Sequence, residues 1–126
     1  MKCPVCGKYD FPEENTFDNC EICGWENDGV QAADHNYAGG ANHLSVNEAR
    51  IEFFLLSEKS VQKIVVKCKQ EFEQECCEIQ KRYAGTNYVE EPQKAKHQAD
   101  DFKKVRQKYL SALNDILQSI VNDTIQ

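Results

Sequence analysis

The sequence predicts an α+β fold in two parts: a small metal-bound module with zinc-ribbon-like knuckles over residues 1–56, and a hairpin of two long antiparallel helices over residues 57–126. Three observations lead there. Four cysteines near the start form two Cys-x-x-Cys pairs, a serine–glutamate capping box stands at Ser45, and apolar residues recur at three- and four-residue steps from Val61 to Ile120. With 126 residues, 40% apolar and 29% charged, the chain suits a metal-ordered cluster and a helix–helix seam better than one large core.

The first element is the pair of knuckles, Cys3-Pro4-Val5-Cys6-Gly7 and Cys20-Glu21-Ile22-Cys23-Gly24. Two such turns aim four thiolates at the corners of a tetrahedron, the geometry zinc takes with sulfur at about 2.3 Å. The glycines permit tight turns that bring backbone amides toward the sulfurs, which spreads the thiolate charge. The pattern therefore predicts one structural Zn(2+) on Cys3, Cys6, Cys20 and Cys23. Iron fits the same sulfur set, and disulfides are the alternative in an oxidising compartment. Four protein ligands leave no open position for an activated water, so no metal catalysis is expected. Phe11, Phe17, Ile22 and Trp25 are expected to pack beside the cluster.

Residues 26–45, rich in Gly, Asn and Asp, read as loop. Ser45 and Glu48 then start a helix reciprocally: the hydroxyl accepts from the Glu48 amide, and the carboxylate accepts from the Ser45 amide. Its apolar face carries Ala49, Phe53 and Leu56, widened by Ile51, Phe54 and Leu55. Ser57–Ser60 interrupts the pattern at a break or a kink, with no Gly or Pro to enforce either. The next stripe runs Val61, Ile64, Val65, Cys68, Phe72, Cys76, Ile79 and Tyr83, and Gly85 offers a left-handed stop. Pro92 opens the last helix, whose stripe includes Ala95, Ala99, Phe102, Val105, Tyr109, Leu113, Ile116, Leu117 and Ile120. Cys68 and Cys76 fall on the apolar face, where a free cysteine acts as a small hydrophobe. Adjacent Cys76 and Cys77 lack a charge pattern that would activate a thiolate.

Charge narrows the function classes. The net charge is −6, and residues 1–60 carry eleven acidic against four basic side chains, while residues 61–126 are nearly balanced. A polyphosphate partner needs Lys and Arg, which the cysteine-rich half lacks. An acidic module suits a basic protein, with Glu26, Asp28, Asp34, Glu48 and Glu52 as the candidate contact. The alternative is a nucleic-acid-binding regulator using Lys94, Lys96, Lys103, Lys104, Arg106 and Lys108, although Asp100 and Asp101 interrupt that face. His35 and His43 with Asp28 and Asp34 read as a solvated loop rather than a second metal set. No Ser/His/Asp set, Walker loop or zinc-protease motif stands in the sequence, so an enzyme is not expected. No apolar leader follows Met1 and no run reaches membrane-spanning length, so the expected location is the cytoplasm.

The knuckles, together with Trp25-Glu26-Asn27-Asp28-Gly29-Val30-Gln31, Tyr37-Ala38-Gly39-Gly40-Ala41-Asn42 and Leu44-Ser45-Val46-Asn47-Glu48-Ala49-Arg50, resemble the bacterial cysteine-rich CPCC family over residues 1–56. Val5 stands where the family name implies a third cysteine, which leaves the knuckle spacing intact. The resemblance implies a small protein without a settled enzymatic role. Comparable small acidic bacterial proteins serve as immunity partners of secreted toxins. The expectation is therefore an immunity or antitoxin protein that neutralises a basic toxin, such as a nuclease. Self-association through the helical hairpin is a further expectation.

Overall fold

The structure, a computed structural model, describes residues 1–125. Four helices dominate: α1 (Gly29–Ala33), α2 (Val46–Leu56), α3 (Gln62–Tyr83) and α4 (Gln93–Ile125). Among the described residues, strand pairing amounts to two isolated antiparallel bridges, Lys2 with Asp10 and Asn19 with Glu26. The β share of the expected α+β fold is thus almost nil. Each bridge closes directly onto a cysteine turn, which leaves no length for a ladder. The chain divides into two compact units, Met1–Lys59 and Ser60 onward.

In the first unit, Met1 N and the Phe11 carbonyl pair at 2.9 Å, the Phe11 amide donates to Met1 at 2.8 Å, and the Cys3 amide donates to Tyr9 at 2.8 Å. These bonds make residues 1–11 a bent loop with the first knuckle at its tip. The second knuckle is framed likewise by Cys20 N–H to Trp25 O at 2.7 Å and Asn27 N–H to Asp18 O at 2.8 Å. Both knuckle glycines are left-handed, Gly7 at φ +68° and Gly24 at +82°, where a side chain is strained. Phe11, Trp25, Leu44, Val46, Ala49 and Leu55 form the buried apolar core. Phe17 and Ile22, expected beside the cluster, are instead 51% and 50% exposed.

The expected loop at 26–45 contains the short helix α1. Asp28 caps it, accepting from the amides of Val30 and Gln31. The capping box of α2 forms as read: Glu48 N–H to Ser45 Oγ at 3.1 Å and Ser45 N–H to Glu48 Oε1 at 2.8 Å. α2 ends at Leu56 without Gly or Pro. Ser57 Oγ donates back to the Phe53 carbonyl at 2.9 Å, while the Ser57 amide is shared between Phe53 and Phe54. Serine competing for the last carbonyls in this way weakens continuation of the helix.

In the second unit, Val65, Phe72, Cys76 and Ile79 of α3 and Tyr109, Leu113 and Ile116 of α4 are buried. Phe72 stacks on Tyr109 with ring centroids 4.5 Å apart, Lys108 pairs with Glu75 at 2.6 Å, and Arg82 pairs with Asp101 at 3.0 Å. The pairings step backward along α3 as they advance along α4. Gly85, at φ +77°, ends the segment after α3 as expected. The apolar seam is shorter than its sequence pattern: Ile64 is 52% exposed, and Ala95 and Ala99 are exposed. No described helix is long and apolar enough to cross a membrane.

Candidate metal centre

Cys3, Cys6, Cys20 and Cys23 converge, with one Sγ from each lying within 4.8 Å of the others. Two of the sulfur–sulfur separations, Cys3 to Cys23 and Cys6 to Cys20, are 3.6 Å. A tetrahedron with metal–sulfur bonds of about 2.3 Å has edges of about 3.8 Å, so the four sulfurs fit a divalent ion at their centre. All four are free thiols, Cys3 and Cys20 buried and Cys6 and Cys23 half-buried. His35, His43, Asp28 and Asp34 do not form a second such group among the described residues.

The knuckle turns build the surroundings as well as the ligands. Gly7 N–H donates to Cys3 O and Gly24 N–H to Cys20 O, each at 2.9 Å, which closes the two turns identically. Within the second turn, the amides of Ile22 and Cys23 both point at Cys20 Sγ, each at 3.4 Å. In the first, burial raises the Cys3 thiol while the amides of Cys6 and Val5 work to lower it. Burial works against ionisation of Cys20, but the Cys23 and Ile22 amides and the neighbouring thiols outweigh it and bring the thiol down to about 7. Burial instead pushes Cys3 and Cys23 upward from the ordinary thiol range. Such a set resists becoming four bare thiolates, and a divalent cation at the centre would supply the compensating charge.

A polar frame holds the second knuckle, with little warning in the residue pattern. Gln31 is fully buried; its Nε2 lies 3.1, 3.2 and 3.0 Å from the carbonyls of Tyr37, Asn42 and Leu44. Its Oε1 accepts from the backbone amide and the side-chain Nδ2 of Asn42, both at 3.0 Å. Asn42 in turn grips the Glu26 backbone, accepting from its N–H and donating to its carbonyl, each at 2.9 Å. This explains the Gly39-Gly40-Ala41-Asn42 segment. A Cβ on Gly40 would meet Asp28 Oδ2 at 2.6 Å. The one available signal was a polar motif too specific for a generic loop.

The five carboxylates expected as a contact face differ in exposure and in their hydrogen bonds. Asp28 is 6% exposed, and its oxygens accept from the amides of Val30, Gln31 and Ala41. Glu48 is engaged in the capping box, and Glu26 and Glu52 are half-buried. Of the five, Asp34 alone is exposed, and its Oδ1 accepts from the Asn36 amide at 3.0 Å. The exposed acids of this unit include Glu13, Glu14, Asp18 and Glu21. Sequence counting noted them, but only their neighbours' hydrogen bonds separate displayed carboxylates from structural ones.

Paired cysteine turns around four converging sulfurs define a tetra-cysteine module with the geometry to hold a metal ion. The description cysteine-rich CPCC matches residues 1–82, and the chain belongs to that family. The match runs past residue 56, where the visible resemblance stopped, and takes in nearly all of α3. No curated protein matches the chain.

Proposed function

We propose that this protein is a structural zinc-binding, protein-interaction protein whose metal orders an acidic surface for a basic protein partner. The metal part is supported by four free thiols with 3.6 Å sulfur–sulfur edges and amides directed at the sulfurs. Zinc suits a closed thiolate set with no redox demand, whereas harder ions prefer oxygen. Bound there, zinc supplies charge neutralisation and a crosslink; the chain supplies no open coordination position, and the proposal includes no catalytic step. The two bridged loops with left-handed glycines support a zinc-ribbon-like description of the first unit. The stepping of Arg82–Asp101, Glu75–Lys108 and Phe72–Tyr109 supports an antiparallel helical hairpin in the second.

One observation carries the partner's chemistry: from Tyr9 to Ala49 there is no Lys or Arg, while nine carboxylates occur. A field of one sign accelerates encounter with a basic surface and repels a phosphate backbone. Its particular form is an immunity or antitoxin protein covering a basic toxin, a nuclease among the candidates, in the reducing cytoplasm. Charge is the support for that form. In the last helix, Lys94 and Lys108 are committed to Glu91 and Glu75, which weakens the nucleic-acid alternative.

The test is capture of a partner on the zinc-loaded protein, followed by its association rate at rising salt. The rate is expected to fall about tenfold or more as salt approaches physiological strength. A salt-insensitive rate contradicts charge steering, and tight DNA or RNA binding with a steep salt slope replaces the protein partner with nucleic acid.

A further inference from the structure

The carbonyl of Pro4 and the amide of Val5 are the two ends of one peptide group inside the first knuckle. Arg50 Nε donates to that carbonyl at 2.8 Å, across 46 positions of sequence. Burial raises the Cys3 thiol, and the Val5 amide at the other end is among the groups that draw it back down. A guanidinium thus grips one end of a peptide whose other end is a knuckle amide next to the ligand cysteines. Charged donors make the stronger hydrogen bonds, and bonds in series polarise one another.

A second tie runs in parallel. Lys8, just after the knuckle glycine, places its Nζ 5.6 Å from the centre of the Phe53 ring. Residues 50 and 53 are neighbours on one face of α2. Both ends of the loop from Pro4 to Lys8 are therefore held to the same side of that helix, in each case by a cation. Four thiolates around a divalent ion carry a net −2, and these two cations bracket the long segment that has none.

We infer that Arg50 is a positioning residue of the metal centre: it fixes the Pro4–Val5 peptide, aims the Val5 amide at Cys3 and thereby slows loss of the ion. Retention of the metal and docking of α2 are coupled through it. The inference rests on the tetra-cysteine metal site and separates from it experimentally.

The test compares wild type, Arg50→Gln, Arg50→Lys and Lys59→Gln, each loaded with zinc or cobalt(II). Lys59→Gln removes one exposed positive charge of the same unit outside the knuckle. Zinc transfer to a chromogenic chelator is expected to be about tenfold faster from Arg50→Gln, intermediate from Arg50→Lys, and unchanged in Lys59→Gln. The sulfur-to-cobalt charge-transfer band is expected to shift in Arg50→Gln and not in Lys59→Gln. Equal release from Arg50→Gln and wild type, at equal helix content, overturns the role of Arg50. If Arg50→Gln loses helix content, Arg50→Lys decides, and a wild-type release rate there overturns it. Wild type that binds neither metal removes the site itself.

Discussion

Gln31 has no exposed surface, and both ends of its amide are engaged, so a single side chain ties three carbonyls to Asn42. Gln31→Leu keeps the volume but strands those partners. It is expected to destabilise the first unit by about 2–4 kcal/mol in urea unfolding, given the cost of unpaired buried polar groups. Gly40→Ala drives a methyl against Asp28 and is expected to cost about 1–3 kcal/mol. The amide of Ala41, with those of Gln31 and Val30, holds the Asp28 carboxyl below its ordinary value against the opposing effect of burial. The folded state therefore takes up this proton less readily than the unfolded one. The resulting stabilisation is complete above the unfolded value of about 4 and is lost as pH falls through the folded value. Asp28→Asn is expected to flatten that acid limb in pH-dependent unfolding. At this scale the sequence was least legible. Gly39-Gly40-Ala41-Asn42 stood out as a motif, but its cause lies in partners eleven to thirteen residues away. Asp28 looked like a displayed charge until its three amide donors were placed.

The helices were far more readable, because period and caps act locally. Ser45 and Glu48 form the box their spacing demands, and Ser45→Ala is expected to cost about 1 kcal/mol of unfolding free energy. The Ser57–Ser60 break was legible as a gap in the apolar pattern, and a hydroxyl returning to the Phe53 carbonyl accounts for it. The seam of α3 and α4 follows the stripe at Val65, Phe72, Cys76, Ile79, Tyr109, Leu113 and Ile116, but not at its ends. Ile64, Ala95 and Ala99 match the rhythm and stay exposed, since periodicity names a face without saying how far its partner extends. Cys76 is buried, and burial, followed by Glu75 and Glu73, raises its thiol to about 11. At pH 8 it is expected to resist alkylation in the native protein and to react after denaturation, as mass spectrometry can record.

Across the whole chain, metal and charge are the two properties that composition already announced. In the proposed function a metal crosslink adds to the buried core of Phe11, Trp25, Leu44, Val46, Ala49 and Leu55 in the first unit, a contribution on the order of 10–16 kcal/mol in zinc-finger peptides. Chelation is expected to abolish the fixed Trp25 environment while leaving most helical signal, since α3 and α4 carry most of the helical residues. The four ligands were legible because Cys-x-x-Cys spacing is a geometric statement in itself. The fit of the acidic surface to a partner was not, because exposure depends on contacts that spacing does not encode. Metal stoichiometry on the purified native protein, with the state of its thiols read by mass spectrometry, decides whether the four cysteines hold an ion. One divalent ion per chain, absent from Cys20→Ser, is expected. A folded wild-type protein without metal, or with Cys3, Cys6, Cys20 and Cys23 joined as disulfides, would contradict it.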